Sequence, residues 1–148
     1  MTYSLTTDWL FPFMTLTDAT GQVHDAPGHF NGRTNLVVVA GHPFQSGQVE
    51  SWLPWIDQYT AHHPGFHSYV MWEHHLENPP HVNGSGDLGP ARTVRGDTQR
   101  VREALELTES DEITVMSVSR DGLVHGWVTG SFSDASGATL LEVLRTGA

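Results

Sequence analysis

No cysteine occurs among the 148 residues of this chain. Disulfides, thiolate metal sites and thiol nucleophiles all require a cysteine sulfur. The sequence therefore excludes thiol oxidoreductase and cysteine-dependent peroxidase activity for the chain.

Lysine is also absent, so seven arginines stand against 17 acidic residues and the formal net charge is −10. Nucleic-acid backbones bind clustered cations through counterion release. The arginines that cluster are Arg92, Arg95, Arg100 and Arg102, and carboxylates surround them. We therefore predict that the chain binds neither nucleic acid nor an anionic membrane surface.

Long hydrophobic runs are missing as well, and a membrane-spanning helix needs roughly 18–20 apolar residues. The apolar patch at residues 9–13 has no basic residue before it, which makes a poor secretory signal. With 38% apolar residues, the composition predicts a single domain over residues 1–148, located in the cytoplasm.

The patterns along the first half of the chain predict alternating strands and a helix. Turn-forming residues 18–21 inside the polar segment 15–29 indicate a β-hairpin. A β-branched run at residues 35–40 is typical of a strand buried on both faces. Residues 46–62 have helical spacing, with Ser46 as the expected N-cap and Pro54 as the expected kink. Alternation over residues 66–72 predicts a second strand.

The second half begins with a long loop, predicted over residues 73–96 because it is rich in glycine and proline. A helix over 97–107, a hairpin with strands 113–119 and 123–128, and a helix over 133–144 follow. This order predicts an α/β fold with a mixed β-sheet flanked by helices on both faces.

Three segments carry a resemblance to a known family: the helix start from Ser46 to Pro54, the hairpin from Arg120 to Gly130, and residues 11–21. Together they resemble the thioredoxin-like superfamily, in particular its redoxin branch with TlpA-like, ResA-like and peroxiredoxin proteins. The resemblance implies a thioredoxin-like fold. It places Ser46 and Val49 where the family has its two redox cysteines, and Ile113 where the family has a cis-proline. The chain thus resembles the family's scaffold without its redox residues.

The carboxyl ends of the parallel strands and the start of the first helix are expected to meet at one edge of the sheet. We predict four catalytic candidates there, His42, Ser46, Glu73 and His74. His42 precedes a helix N-terminus, where the helix dipole favours a neutral imidazole that can act as a base. Ser46 could be a hydroxyl nucleophile, and the alternative is a structural helix cap.

Histidines also suggest a transition-metal site, because neutral imidazole binds zinc, copper, nickel or iron. The candidate ligands are His42, His74, His75 and His81. The alternative is that these are surface histidines without a ligand.

Other side chains at the same edge are candidates for ligand binding: Phe44, Gln45, Trp52, Trp72 and Ile113. Three hypotheses follow. The first is a binding module for a small apolar or aromatic ligand or a partner segment. The second is a cysteine-free enzyme. The third is an assembly domain, with a homo-oligomer formed through Trp55 and the face of the kinked helix.

Overall fold

The computed structural model describes residues 9–18, 20–30, 32–73, 93–107 and 111–147. The strands are β1 (Trp9–Leu10), β2 (Met14–Asp18), β3 (Val23–Ala26), β4 (Thr34–Val39), β5 (Phe66–Glu73), β6 (Thr93–Gly96), β7 (Thr114–Ser119) and β8 (Leu123–Thr129). The helices are α1 (Ser46–His62), α2 (Thr98–Ala104) and α3 (Asp134–Gly147), and a short 3₁₀ turn, Pro43–Gln45, precedes α1.

All eight strands form one mixed sheet in the order β1-β8-β7-β4-β5-β6-β2-β3. Strands β7 and β8 form an antiparallel hairpin. Strand β4 pairs in parallel with β5 on one side and antiparallel with β7 on the other. Every residue of β4 is buried, as expected for a strand that is covered on both faces.

Two apolar layers lie on opposite faces of this sheet. One layer contains Val49, Trp52 and Ile56 of α1 together with Leu140 and Val143 of α3. The other layer contains Leu16 of β2 and Val101 of α2, together with Phe11, Phe30 and Leu105 from the adjoining segments. Helices therefore flank the sheet on both faces, and the predicted fold class is confirmed.

Two element predictions are wrong in part. Residues 93–96 were expected in a loop but form β6, which pairs in parallel with β5 and antiparallel with β2. Strand β1, which pairs with β8, was not expected at all. Both are short strands whose partners are distant in sequence, so local patterning carries little signal for them.

Helix α1 continues through Pro54, which lies inside it. Within the part of the chain that the structure describes, no helix is long and apolar enough to cross a membrane.

Candidate functional site

The loop that follows β4 leads directly into α1 and is held by one buried side chain. Gln45 is fully buried. Its Oε1 accepts hydrogen bonds from the backbone N–H groups of Gly41, at 2.7 Å, and His42, at 3.0 Å. Its Nε2 donates to the carbonyl oxygen of Asp111 at 2.8 Å. Gln45 therefore fixes the loop at residues 41–45 and ties it to the chain just before β7.

Gln48, one helical turn later, makes a second connection to the same segment. Its Nε2 donates to the Asp111 carbonyl oxygen at 2.9 Å, and its Oε1 accepts from the Ile113 N–H at 3.0 Å. We call Gln45 and Gln48 together the glutamine clamp. The clamp uses the backbone groups of residues 111 and 113 that face the start of α1, at the position where the resemblance places the redox site.

Ser46 is not the N-cap of α1, so that prediction is wrong. Gln45 occupies the N-cap position, and no side chain there makes a capping hydrogen bond. Ser46 is the first residue of the helix and is partly buried. The sequence favoured serine because of its capping propensity, but the 3₁₀ turn Pro43–Gln45 runs directly into α1, so Gln45 takes the N-cap position.

His42 and Phe44 project from the clamped loop into solvent. Their rings are stacked, with centroids 5.6 Å apart and planes 10° apart. Phe44 is 64% exposed, although the neighbouring Gln45 is fully buried. Among the residues that the structure describes, His42 makes no side-chain hydrogen bond to Ser46, so the predicted nucleophile and base are not paired.

Glu73 is the last residue of β5 and is partly buried. The hydroxyl of Thr98, the first residue of α2, donates to its Oε2 at 2.5 Å. The other predicted site histidines, His74, His75 and His81, lie outside the described residues. Within those residues no group of three or more metal-ligating side chains could hold a metal ion, so the metal site stays a prediction.

The remaining ligand-binding candidates are in the core. Trp52, Trp72 and Ile113 are fully buried. The indole N–H of Trp52 donates to the carbonyl oxygen of Gly130 at 2.9 Å, whereas that of Trp72 has no acceptor among the described residues. Of the five candidates, only Phe44 presents its side chain to solvent.

The sequence analysis missed Gln48 and Thr98. It named Trp55 and the face of the kinked helix as a contact surface, where the structure has a groove that was not predicted. The groove is lined by Trp55, Gln58, Tyr59, His62 and His63. The sequence did contain two signals for these features. One is the pair of glutamines three residues apart at the helix start, and the other is the set of aromatic rings spaced four residues apart.

No protein-family model matches the chain. No curated protein matches it either. The chain does match solved structures. A thiol:disulfide interchange protein DsbE from Chlorobium tepidum is 18% identical, with 96% of this chain and 97% of that chain covered and a TM-score of 0.59.

Two further neighbours have a TM-score of 0.62. BsSco, of the Sco family of cytochrome c oxidase assembly proteins, is 10% identical over 93% of both chains. A thiol:disulfide interchange protein from Bacteroides sp. is 16% identical, covering 95% of this chain and 91% of its own. At these identities the likeness concerns the fold. The thioredoxin-like fold predicted from the sequence is confirmed, here in a chain without cysteine.

Proposed function

We propose that this chain is a non-redox interaction domain that docks onto a partner protein through the strand-end edge. The strand-end edge comprises residues 41–46, Glu73 and residues 111–113. Without cysteine the fold has no thiol chemistry to perform, and a non-redox role is compatible with it.

The observation that carries the proposal is an exposed aromatic ring on a fixed loop. Phe44 leaves 64% of its surface in solvent, while the three hydrogen bonds of Gln45 hold the loop beneath it. A side chain that is ordered before binding loses less entropy when a partner covers it. Aromatic side chains, phenylalanine among them, are also enriched at protein interfaces relative to the rest of the surface.

The shape of this edge favours a partner protein over a small ligand. Gln45, Trp52, Trp72 and Ile113 are all fully buried, and the hydrogen bonds of the glutamine clamp tie α1 to the start of β7. The described residues thus present a projecting contact, which suits insertion into a pocket of another protein. A cytoplasmic location is part of the proposal, although one structural neighbour is named as an exposed lipoprotein thioredoxin of Streptococcus pneumoniae.

The test begins with photo-cross-linking from position 44. The photoreactive amino acid p-benzoylphenylalanine replaces Phe44 in cells that produce the chain, and cross-linked proteins are identified and purified. The dissociation constant of the purified partner is then measured by calorimetry. Phe44→Ala should weaken binding by about thirtyfold, as expected for an interface anchor.

Leu10 provides the control, since it is 57% exposed and pairs with Leu123 at the opposite end of the sheet. Leu10→Ala should change the dissociation constant less than about twofold, in line with a peripheral position. An unchanged affinity in Phe44→Ala, or equal cross-linking from position 10, would contradict the proposal.

A further inference from the structure

A shallow concave surface lies on α1, away from the strand-end edge. It is lined by Trp55, Gln58, Tyr59, His62 and His63, is largely open to solvent, and has a volume of about 380 Å³. We call it the aromatic groove. Its volume is within the range of small-molecule sites, roughly 300–1,000 Å³. All five lining residues belong to the second half of α1 and its C-cap.

The rings in the groove form one stack along the helix. The planes of Trp55 and Tyr59 are 10° apart with centroids at 5.3 Å, and those of Tyr59 and His63 are 11° apart at 3.9 Å. Phe66 packs edge-on against Tyr59 at 5.3 Å. Residues four apart lie above one another on a helix, so the spacing 55, 59, 63 builds the stack. The rings support one another, and the wall of the groove is therefore ordered without a ligand.

The two histidines are held in a defined orientation. Nδ1 of His62 is 2.8 Å from the carbonyl oxygen of Gln58, and Nδ1 of His63 is 2.8 Å from that of Tyr59. A carbonyl oxygen can only accept, so each Nδ1 must carry the hydrogen. In a neutral imidazole the other nitrogen, Nε2, is then a hydrogen-bond acceptor.

We propose that the aromatic groove binds a small planar aromatic molecule that carries a hydroxyl or N–H donor, such as a phenol or an indole. Its ring would lie against the stack of Trp55, Tyr59 and His63. Its donor would bond to Nε2 of His62 or His63. The acceptors of the groove thus select the class of ligand, and this inference is independent of the partner proposed for the strand-end edge.

A second copy of the chain fits this groove less well. A two-fold contact places the same patch on both partners, so one concave surface would face another. Both copies also carry a net charge of −10, which opposes their association. A small phenol or indole would supply a hydrogen-bond donor to the histidines without that repulsion.

The test compares two probes that differ only in the donor, 2-naphthol and 2-methoxynaphthalene. Binding is followed by fluorescence titration and located by imidazole NMR shifts of His62 and His63. We expect 2-naphthol to bind about tenfold more tightly than the methyl ether, the size expected for one hydrogen bond. The double variant His62→Phe/His63→Phe should keep the affinity for the ether and lose the preference.

His29→Phe is the matched control, because His29 packs against Phe30 and Tyr69 on the opposite face of the sheet. It should retain the full preference for 2-naphthol. Equal affinity for both probes, or a preference that persists in the double variant, would overturn the proposal. An absence of binding would overturn it as well, and a dimer in sedimentation that Trp55→Ala dissociates would then assign the groove to a second copy.

Discussion

Gln45 bonds to three backbone groups, two in the loop after β4 and one just before β7. The N–H groups of Gly41 and His42 and the carbonyl of Asp111 all bond to its amide. Because the side chain is fully buried, water cannot replace it. Gln45→Leu keeps a similar volume and removes all three bonds, so we expect the free energy of unfolding to fall by about 2–4 kcal/mol. Urea denaturation followed by tryptophan fluorescence measures the change.

Gln48→Leu is the control for this prediction. Gln48 is partly exposed, and the Asp111 carbonyl keeps its bond from Gln45, so the loss should be about 1 kcal/mol. Ser46→Ala should have an even smaller effect, because Ser46 is not the helix cap. A larger loss in either control than in Gln45→Leu would show that Gln45 is not the main connection.

The β2–β3 hairpin is held at its turn by the carboxylate of Asp18. Its Oδ1 accepts from the N–H and hydroxyl of Thr20 and from the Gln22 N–H, and its Oδ2 lies 2.7 Å from Nε2 of His24. The hydrogen bond from the Thr20 hydroxyl, and to a smaller extent the one with His24, hold the pKa of Asp18 well below its ordinary value of 3.8. Asx-type bonding of this kind is what the turn residues at 18–21 indicated.

This low pKa predicts how the stability of the hairpin depends on pH. Because the pKa of Asp18 is lowered in the folded state, the contribution of its carboxylate to the free energy of unfolding is complete above the ordinary value of 3.8. It is lost as the pH falls below that value toward the folded pKa. We expect Asp18→Asn to lower the free energy of unfolding by about 1–2 kcal/mol at pH 7, with a smaller difference from wild type at pH 3. Urea denaturation at both pH values gives this comparison.

Asp25→Asn serves as the matched control, since Asp25 is exposed on the neighbouring strand β3. Its difference from wild type should be small at pH 7. If Asp18→Asn differed from wild type equally at pH 7 and pH 3, the carboxylate charge would not be the stabilising group.

Elements with a repeating apolar pattern were predicted from the sequence, whereas short strands were not. Helix α1 begins and ends where the spacing of apolar residues predicts, because its buried face repeats over several turns. Strand β6 has four residues between β5 and β2. Its place in the sheet depends on backbone hydrogen bonds to both neighbours, which a local pattern does not encode.

For the molecule as a whole, the thioredoxin-like scaffold is present and the thiols are absent. Ser46 and Val49 occupy the first turn of α1, three residues apart and therefore on the same side of the helix. We predict that Ser46→Cys/Val49→Cys forms an intrachain disulfide on mild oxidation. Mass spectrometry would show a loss of two hydrogens, and thiol titration would show no free cysteine.

The single variant Ser46→Cys is the control, since it has no second thiol within the chain and should stay reduced or form dimers. Two free thiols in the oxidised double variant would contradict the prediction. That result would mean that the glutamine clamp has changed the geometry of the helix start.

The sequence analysis predicted a site at the carboxyl ends of the parallel strands, which stays a prediction, and it could not say which side chains there reach solvent. His42, Phe44, Gln45 and Ile113 all gather where β4 ends and β7 begins. Their exposure differs because Gln45 turns inward to satisfy backbone groups of residues distant in sequence, while Phe44 is left outside. Buried and exposed side chains therefore alternate in this turn because of their hydrogen-bond partners, and residue type alone does not predict the alternation.

Composition and periodicity are properties of the chain alone, so the lack of cysteine excludes thiol chemistry and the apolar spacing predicts the fold class and the long elements. The glutamines that cross-link α1 to the start of β7, and the place of β6 in the sheet, are evident only from the packed structure. The same is true of the groove along the rings at 55, 59 and 63. Those features arise from contacts between segments far apart in the chain or from a helix face that the described residues leave open, and both depend on how the elements pack.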